Sequence, residues 1–361
     1  MNGSTPESDG PDADGIPAPT TVLDGHNDVL LRLRRMDDPV TAFAEGTADC
    51  HLDLQTARDG GLGAGLFAAF ARNEERPDVK ETDDGYRYPL PDAVDHADAR
   101  EDVYELLALL HHLVAEVDDL QFVRTVADLD ACRANGTLGV VAHLEGAEAV
   151  APDLSNLDFL YAAGVRSIGP VWSRPNEFGH GVPARFPGEP DSGPGLTAAG
   201  RDLVRACEER GILVDGAHMT ERGIRDTAAA LDGPFVVSHA GAHAIHPHSR
   251  SLTDDLISLI ADRGGLVGIT FSATQLGATG TDEDVPLSVV LDHVEHVADV
   301  GGVEAVALGS DFDGARIPED VGDASGLRPI VEGLSDRGFD DDEVRAIAWD
   351  NWRRVLESVW N

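Results

Sequence analysis

The chain has 361 residues, with 66 Asp and Glu against 27 Lys and Arg and a formal net charge of −39. Such a charge repels nucleic acid phosphates and anionic membranes and argues against both as partners. The 42% hydrophobic content supplies a core for one large barrel domain or two ordinary ones.

In chain order, positions 1–20 are Asp-, Pro-, Gly- and Ser-rich, with neither a basic nor an apolar signal region, and read as a disordered acidic tail. Residues 21–361 are expected to form one barrel domain. Short apolar runs then mark eight expected strands at 21–28, 63–71, 137–146, 165–172, 211–218, 234–241, 264–272 and 305–314. Helical patterns at 198–210, 221–231, 253–263 and 285–299 alternate with the later ones, and 341–358 closes the chain. Thr197, Thr220 and Thr253 stand where N-caps belong. Alternating strands and helices predict a parallel α/β sheet with right-handed crossovers, here closed into a (β/α)8 TIM-like barrel. Two stretches exceed ordinary loop length. Residues 72–136 insert an acidic segment and two helices, near 99–118 and 126–134, between strands two and three; residues 173–195, rich in Pro and Gly, follow strand four as a lid candidate.

The chemistry sits where the apolar runs end. His26 and Asp28 end the first, Glu145 the third, His218 the fifth, His239 the sixth and Asp311 the eighth. C-terminal strand ends form the active-site rim of such a barrel, and alternation puts His26 and Asp28 on the lumen side with Asp24 beneath them. Three imidazoles and two carboxylates suit zinc, with cobalt or manganese as alternatives, and are too many for one ion that keeps an open position. They divide between two Zn2+ ions if Glu145 bridges. A carboxylated lysine cannot serve there, since Lys80, in the insertion, is the only lysine.

The runs DGHND, HLEG, VDGAH, VVSHAGAHAIHPHSRS and LGSDFDG, in that order, resemble the membrane dipeptidase (renal dipeptidase) family of zinc peptidases. The likeness extends from about residue 21 nearly to the end. It implies that His26 and Asp28 bind one zinc, His218 and His239 the other, with Glu145 bridging. Asp311 would be the acid/base, and Arg250 would grip the carboxylate of a small peptide substrate; a homodimer is also implied. Trp172 stands where the family usually has a substrate-binding histidine, and an indole donates one hydrogen bond but carries no charge. Ser251 replaces a usual Asn, and Ala217 and Ala240 sit where Ser is common. The same site would serve another amidohydrolase, for N-acyl amino acids or lactams, or a catalytically inactive binding protein; Asp311 argues against the last. Among the other histidines, His243, His246 and His248 fall on the loop carrying Arg250. His143 shares the inward parity of Glu145, His293 and His296 lie on an outer helix, and His180 is the alternative donor to Trp172.

Cys50, Cys132 and Cys207 form no CxxC pair and read as free thiols. No apolar run reaches the ~18 residues of a membrane span, so a cytoplasmic location is expected. We read the charge as that of a protein from a salt-accumulating cell. Diluting salt from about 1 M to about 0.1 M lengthens electrostatic screening from about 3 Å to about 10 Å. The melting temperature should therefore fall clearly over that range of KCl; a flat dependence would contradict the halophilic reading.

Overall fold

The computed structural model describes residues 20–73, 77–281 and 283–360; the expected tail, apart from Thr20, lies outside them. Eight parallel strands build the barrel: β1 (Val22–Asn27), β2 (Leu62–Ala69), β3 (Leu138–Glu145), β4 (Val165–Gly169), β5 (Leu213–Val214), β6 (Val236–Ala240), β7 (Leu266–Ile269) and β8 (Val306–Leu308). They pair in the orders β1-β2-β3-β4-β5 and β6-β7-β8. Single parallel bridges, Asp215 with Val236 and Asn27 with Phe312, close the two seams. Every strand is shorter at its C-terminal end than its apolar run, because the rim residues leave extended geometry. His218 and Asp311 both have φ of 64°, a left-handed conformation that costs a non-glycine residue of order 1–3 kcal/mol.

Inward alternation fills the base of the barrel. Leu23, Leu66, Val141, Leu213, Val236, Leu266 and Ala307 pack into one buried cluster with Trp349 and Trp352. Both tryptophans come from the closing helix, in which Asp341–Arg345 runs through a π-type turn, Ala346–Asp350, into Asn351–Val359. Trp352 then donates from its indole to the Leu308 carbonyl at 3.0 Å.

Thr197 and Thr220 cap Ala198–Arg210 and Glu221–Ala230 through their hydroxyls, whereas Thr253 precedes Asp254–Asp262 without a side-chain bond. The insertion carries helices His96–Glu116 and Val126–Asn135 as expected. It also carries strands Lys80–Thr82 and Gly85–Arg87, which join Arg185–Phe186 of the lid candidate in an antiparallel sheet. That segment is anchored further by Val182 N donating to the His218 carbonyl and Gly188 N to the Pro247 carbonyl, both at 2.8 Å. It therefore forms a fastened wall beside the rim.

Trp352→Ala should lower stability by about 3–5 kcal/mol, the range for a buried large-to-small change. Equilibrium urea unfolding checks this; an unchanged midpoint would show that the closing helix does not support the barrel.

Candidate metal centre

The strand ends bring the expected residues together. Glu145 Oε1 lies 2.8 Å from His218 Nε2, 3.4 Å from His26 Nε2 and 3.6 Å from His239 Nε2. His26 Nε2 is also 3.4 Å from Asp28 Oδ2. Ligand atoms of His26, Glu145 and His239 fall within 4.8 Å of one another, and so do those of His26, Asp28 and Asp311. All are buried.

Pairing of β1 with β2 slips between Asp24 and Asn27, so simple alternation does not hold along β1. Leu23 packs in the barrel interior, yet His26 also reaches the site. Asp24, expected beneath the ligands, instead accepts from Ser310 N and Oγ at 2.6 and 2.9 Å, binding β1 to the segment after β8. Gly314 must be small: a Cβ there would stand 2.0 Å from Asp28 Oδ2 and 2.4 Å from Asp311 Oδ1.

Proton accounting tests whether the cluster fits cations. Ser238 Oγ donates to Asp215 Oδ2 at 2.5 Å and lies 2.9 Å from His239 Nδ1, so Nδ1 is the donor in that contact. The lone pair of His239 is then on Nε2. Arg250 Nη2 donates to His218 Nε2 at 2.9 Å, leaving His218 Nδ1–H for Ser173 Oγ at 2.8 Å. Two unprotonated Nε2 atoms thus lie 3.0 Å apart, that of His218 shared with the Arg250 donor. Burial first, then neighbouring cations, holds both rings well below the ordinary imidazole pKa, hence neutral. A divalent cation satisfies this arrangement, and the hydroxyls behind Nδ1 fix each ring as such sites require. Ser173, Ser238 and Asp215 were not singled out from sequence. The signal was available, since Ser238 directly precedes His239 and Asp215 lies three before His218.

The carboxylates point the same way. Burial raises Glu145 to about 8 and Asp311 to about 7, with Asp28 adding repulsion to each while His26 draws both down. Burial opposes charge on His26, but Glu145, Asp28 and Asp311 outweigh it and raise the ring to about 10.

Asp28, Glu145, Trp172, His218, Arg250 and Asp311 face a cavity of about 1070 Å³. Trp172 sits three residues beyond the end of β4, not on it, with ring centroids 5.5 Å from Phe70 and 5.7 Å from His218. His248 Nδ1 accepts from Arg250 N at 3.1 Å and so supports that arginine. His243 contacts the Gly188 carbonyl at 2.9 Å and His246 stacks on Phe186. His143 lies 2.9 Å from Ser167 Oγ and 3.5 Å from Asp215, behind the ligands. His293 is buried, accepting from Ala242 N and contacting the Leu276 carbonyl. His180 bridges to Pro175 and does not line the cavity, and Ser251 is turned toward Gln275.

A (β/α)8 barrel with a buried His and carboxylate rim over an open cavity defines a metal-dependent hydrolase. The chain belongs to the membrane dipeptidase family (peptidase family M19), which its residues 12–361 match. An uncharacterised protein in the pqqA 5′ region of Klebsiella pneumoniae is 42% identical over 260 residues, 72% of this chain and 96% of that one. The solved dipeptidase AC, a metallopeptidase of family M19, superposes with a TM-score of 0.89 at 37% identity over 95% of this chain and 99% of that one. A metallopeptidase from Rhodobacter sphaeroides, liganded with a phosphinate mimic of the dipeptide L-Ala-D-Ala, gives a TM-score of 0.89 at 36% identity over 95% and 100%. The protein is a metallodipeptidase.

The shifts fix a pH response for the metal-free protein. Asp311, Glu145 and His26 hold protons longer when folded, so their stabilisation is present below their ordinary values and lost as pH rises through about 7, 8 and 10. His218 and His239 oppose this only below their unfolded pKa, about 6.5. Chelator-treated protein should therefore melt at lower temperature at about pH 9 than at about pH 7, and zinc should abolish the fall. A melting temperature that rises over this interval without metal would contradict the assignment.

Proposed function

We propose that this metallodipeptidase is a dinuclear zinc enzyme that hydrolyses the peptide bond of short peptides with a free C-terminal carboxylate. The observation that carries the reading is the pair of unprotonated Nε2 atoms of His218 and His239 facing each other at 3.0 Å beside Glu145. In this reading His26 and Asp28 hold one ion, His218 and His239 the other, and Glu145 belongs to both. Two divalent ions bound there supply Lewis acidity and bring the pKa of water from 15.7 towards roughly 7.

The protein's own groups complete the chemistry. Asp311, raised to about 7 by burial, is suited to take a proton from water and return it to the leaving amine. Arg250 offers a planar fork to the substrate carboxylate; its Nε has no partner among the described residues. Trp172 and Phe70 form an apolar wall against which the bound peptide would lie. The phosphinate dipeptide mimic bound by the Rhodobacter sphaeroides relative supports a substrate of that size. No helix among the described residues is long and apolar enough to cross a membrane. The three buried free cysteines support a reducing cytoplasmic setting, and the net charge of −39 supports work in concentrated salt.

A panel of dipeptides and N-acyl amino acids, assayed with and without zinc, tests the reading; full activity after chelation would refute it. Asp311→Asn should lower kcat by roughly 10²–10⁴-fold with metal content near normal. Glu145→Gln should reduce metal at both positions and His218→Ala chiefly at one, as elemental analysis would show. Full turnover by the Asn variant would remove Asp311 from proton transfer.

A further inference from the structure

Behind the apolar wall of the cavity lies a buried ion pair that the metal centre does not use. Arg174 donates from Nε to Glu148 Oε1 at 2.6 Å and from Nη1 to Asn73 Oδ1 at 2.9 Å. Its guanidinium carbon stands 5.1 Å from the centre of the Trp172 ring, within cation–π range. One side chain thus joins the segments that leave β2 at Asn73, β3 at Glu148 and β4 at Trp172. Asn73 and Trp172 line the substrate cavity; Arg174 and Glu148 do not.

Stability alone accounts poorly for this pair. Burying two charges is costly, and an apolar pair of similar volume often serves as well. Here Arg174 Nη2 and Glu148 Oε2 are both buried without a hydrogen-bond partner among the described residues. What a planar guanidinium adds is direction, since its donors and its face are fixed relative to one another. The chain also makes room for the pair next to Glu145. Gly146 has φ of 90°, and a Cβ there would lie 2.4 Å from Glu148 Oε2 and 3.2 Å from Trp172 N.

We propose that Arg174 and Glu148 are a positioning pair that sets the plane of Trp172 and, through it, the pose of the bound peptide. This rests on the dipeptidase reading above, in which Trp172 is a wall of the substrate site. The test is kinetic, with Arg174→Lys, which keeps the charge and loses the fork, and Glu148→Gln. Each is made in the wild type and in a Trp172→Ala background. In the wild type each should raise KM roughly tenfold, with kcat changed less than about twofold and metal content retained. In the Trp172→Ala background the same changes should move KM less than about twofold, because the residue they act through is gone.

A rise of equal size in both backgrounds, or none in the wild type, overturns the proposal. Should the single variants fold poorly, Arg174→Met combined with Glu148→Leu removes both charges at similar volume. That folded double variant should show the same rise in KM, and a wild-type KM in it would overturn the pair's role. A second readout needs no turnover: acrylamide quenching of Trp172, taken as the difference between each protein and its Trp172→Phe counterpart. Quenching should increase in Arg174→Lys, and unchanged quenching overturns the clamp. A zinc-loaded wild type that cleaves no dipeptide would instead overturn the proposed function, with the quenching still deciding the clamp.

Discussion

A single carboxylate oxygen organises this molecule. Glu145 Oε1 has the Nε2 atoms of three imidazoles within 3.6 Å, drawn from β1, β6 and the segment after β5. Such a grouping has to be held from behind, because buried carboxylates repel one another and neutral imidazoles facing each other gain nothing. The holding is done by hydroxyls and one further acid: Ser173 on His218, and Ser238 with Asp215 on His239. The groups nearest the expected ions are thus fixed in orientation by neighbours that never face the cavity.

The barrel makes this grouping attainable by bringing short strand ends from distant parts of the sequence onto one rim. It does so with local departures from regularity. β1 slips in register between Asp24 and Asn27, and His218 and Asp311 adopt left-handed backbone. At the opposite end, Trp349 and Trp352 fill the base. The regular half of the barrel carries packing, and the irregular half carries chemistry.

How far the sequence foretold this follows from the same division. The eight apolar runs and their polar ends were legible because burial and strand-end placement both leave marks in composition, so the cluster around Glu145 could be named residue by residue. Extending those runs to the rim failed, since apolarity does not reveal where φ changes sign at His218 or Asp311. Asp24 was placed by a parity rule that the slip in β1 breaks. Strands Lys80–Thr82, Gly85–Arg87 and Arg185–Phe186 are short, and two of them are exposed or half-exposed, so no apolar pattern marked them. The Arg174–Glu148 contact joins residues far enough apart in the chain that only the folded barrel reveals it.

In the proposed reading, metal, proton transfer and peptide placement fall to different layers: the Glu145 grouping, Asp311 beside it, and the wall of Trp172 and Phe70 with Arg250, whose Nη2 lies 2.9 Å from His218 Nε2. All depend on the claim that two ions share Glu145. Anomalous diffraction from crystals grown with zinc, recorded on both sides of the zinc absorption edge, tests it most directly. The account predicts two anomalous peaks per chain, one against His26 and Asp28, the other against His218 and His239, with Glu145 touching both. One peak alone, or zinc bound away from Glu145, would contradict it.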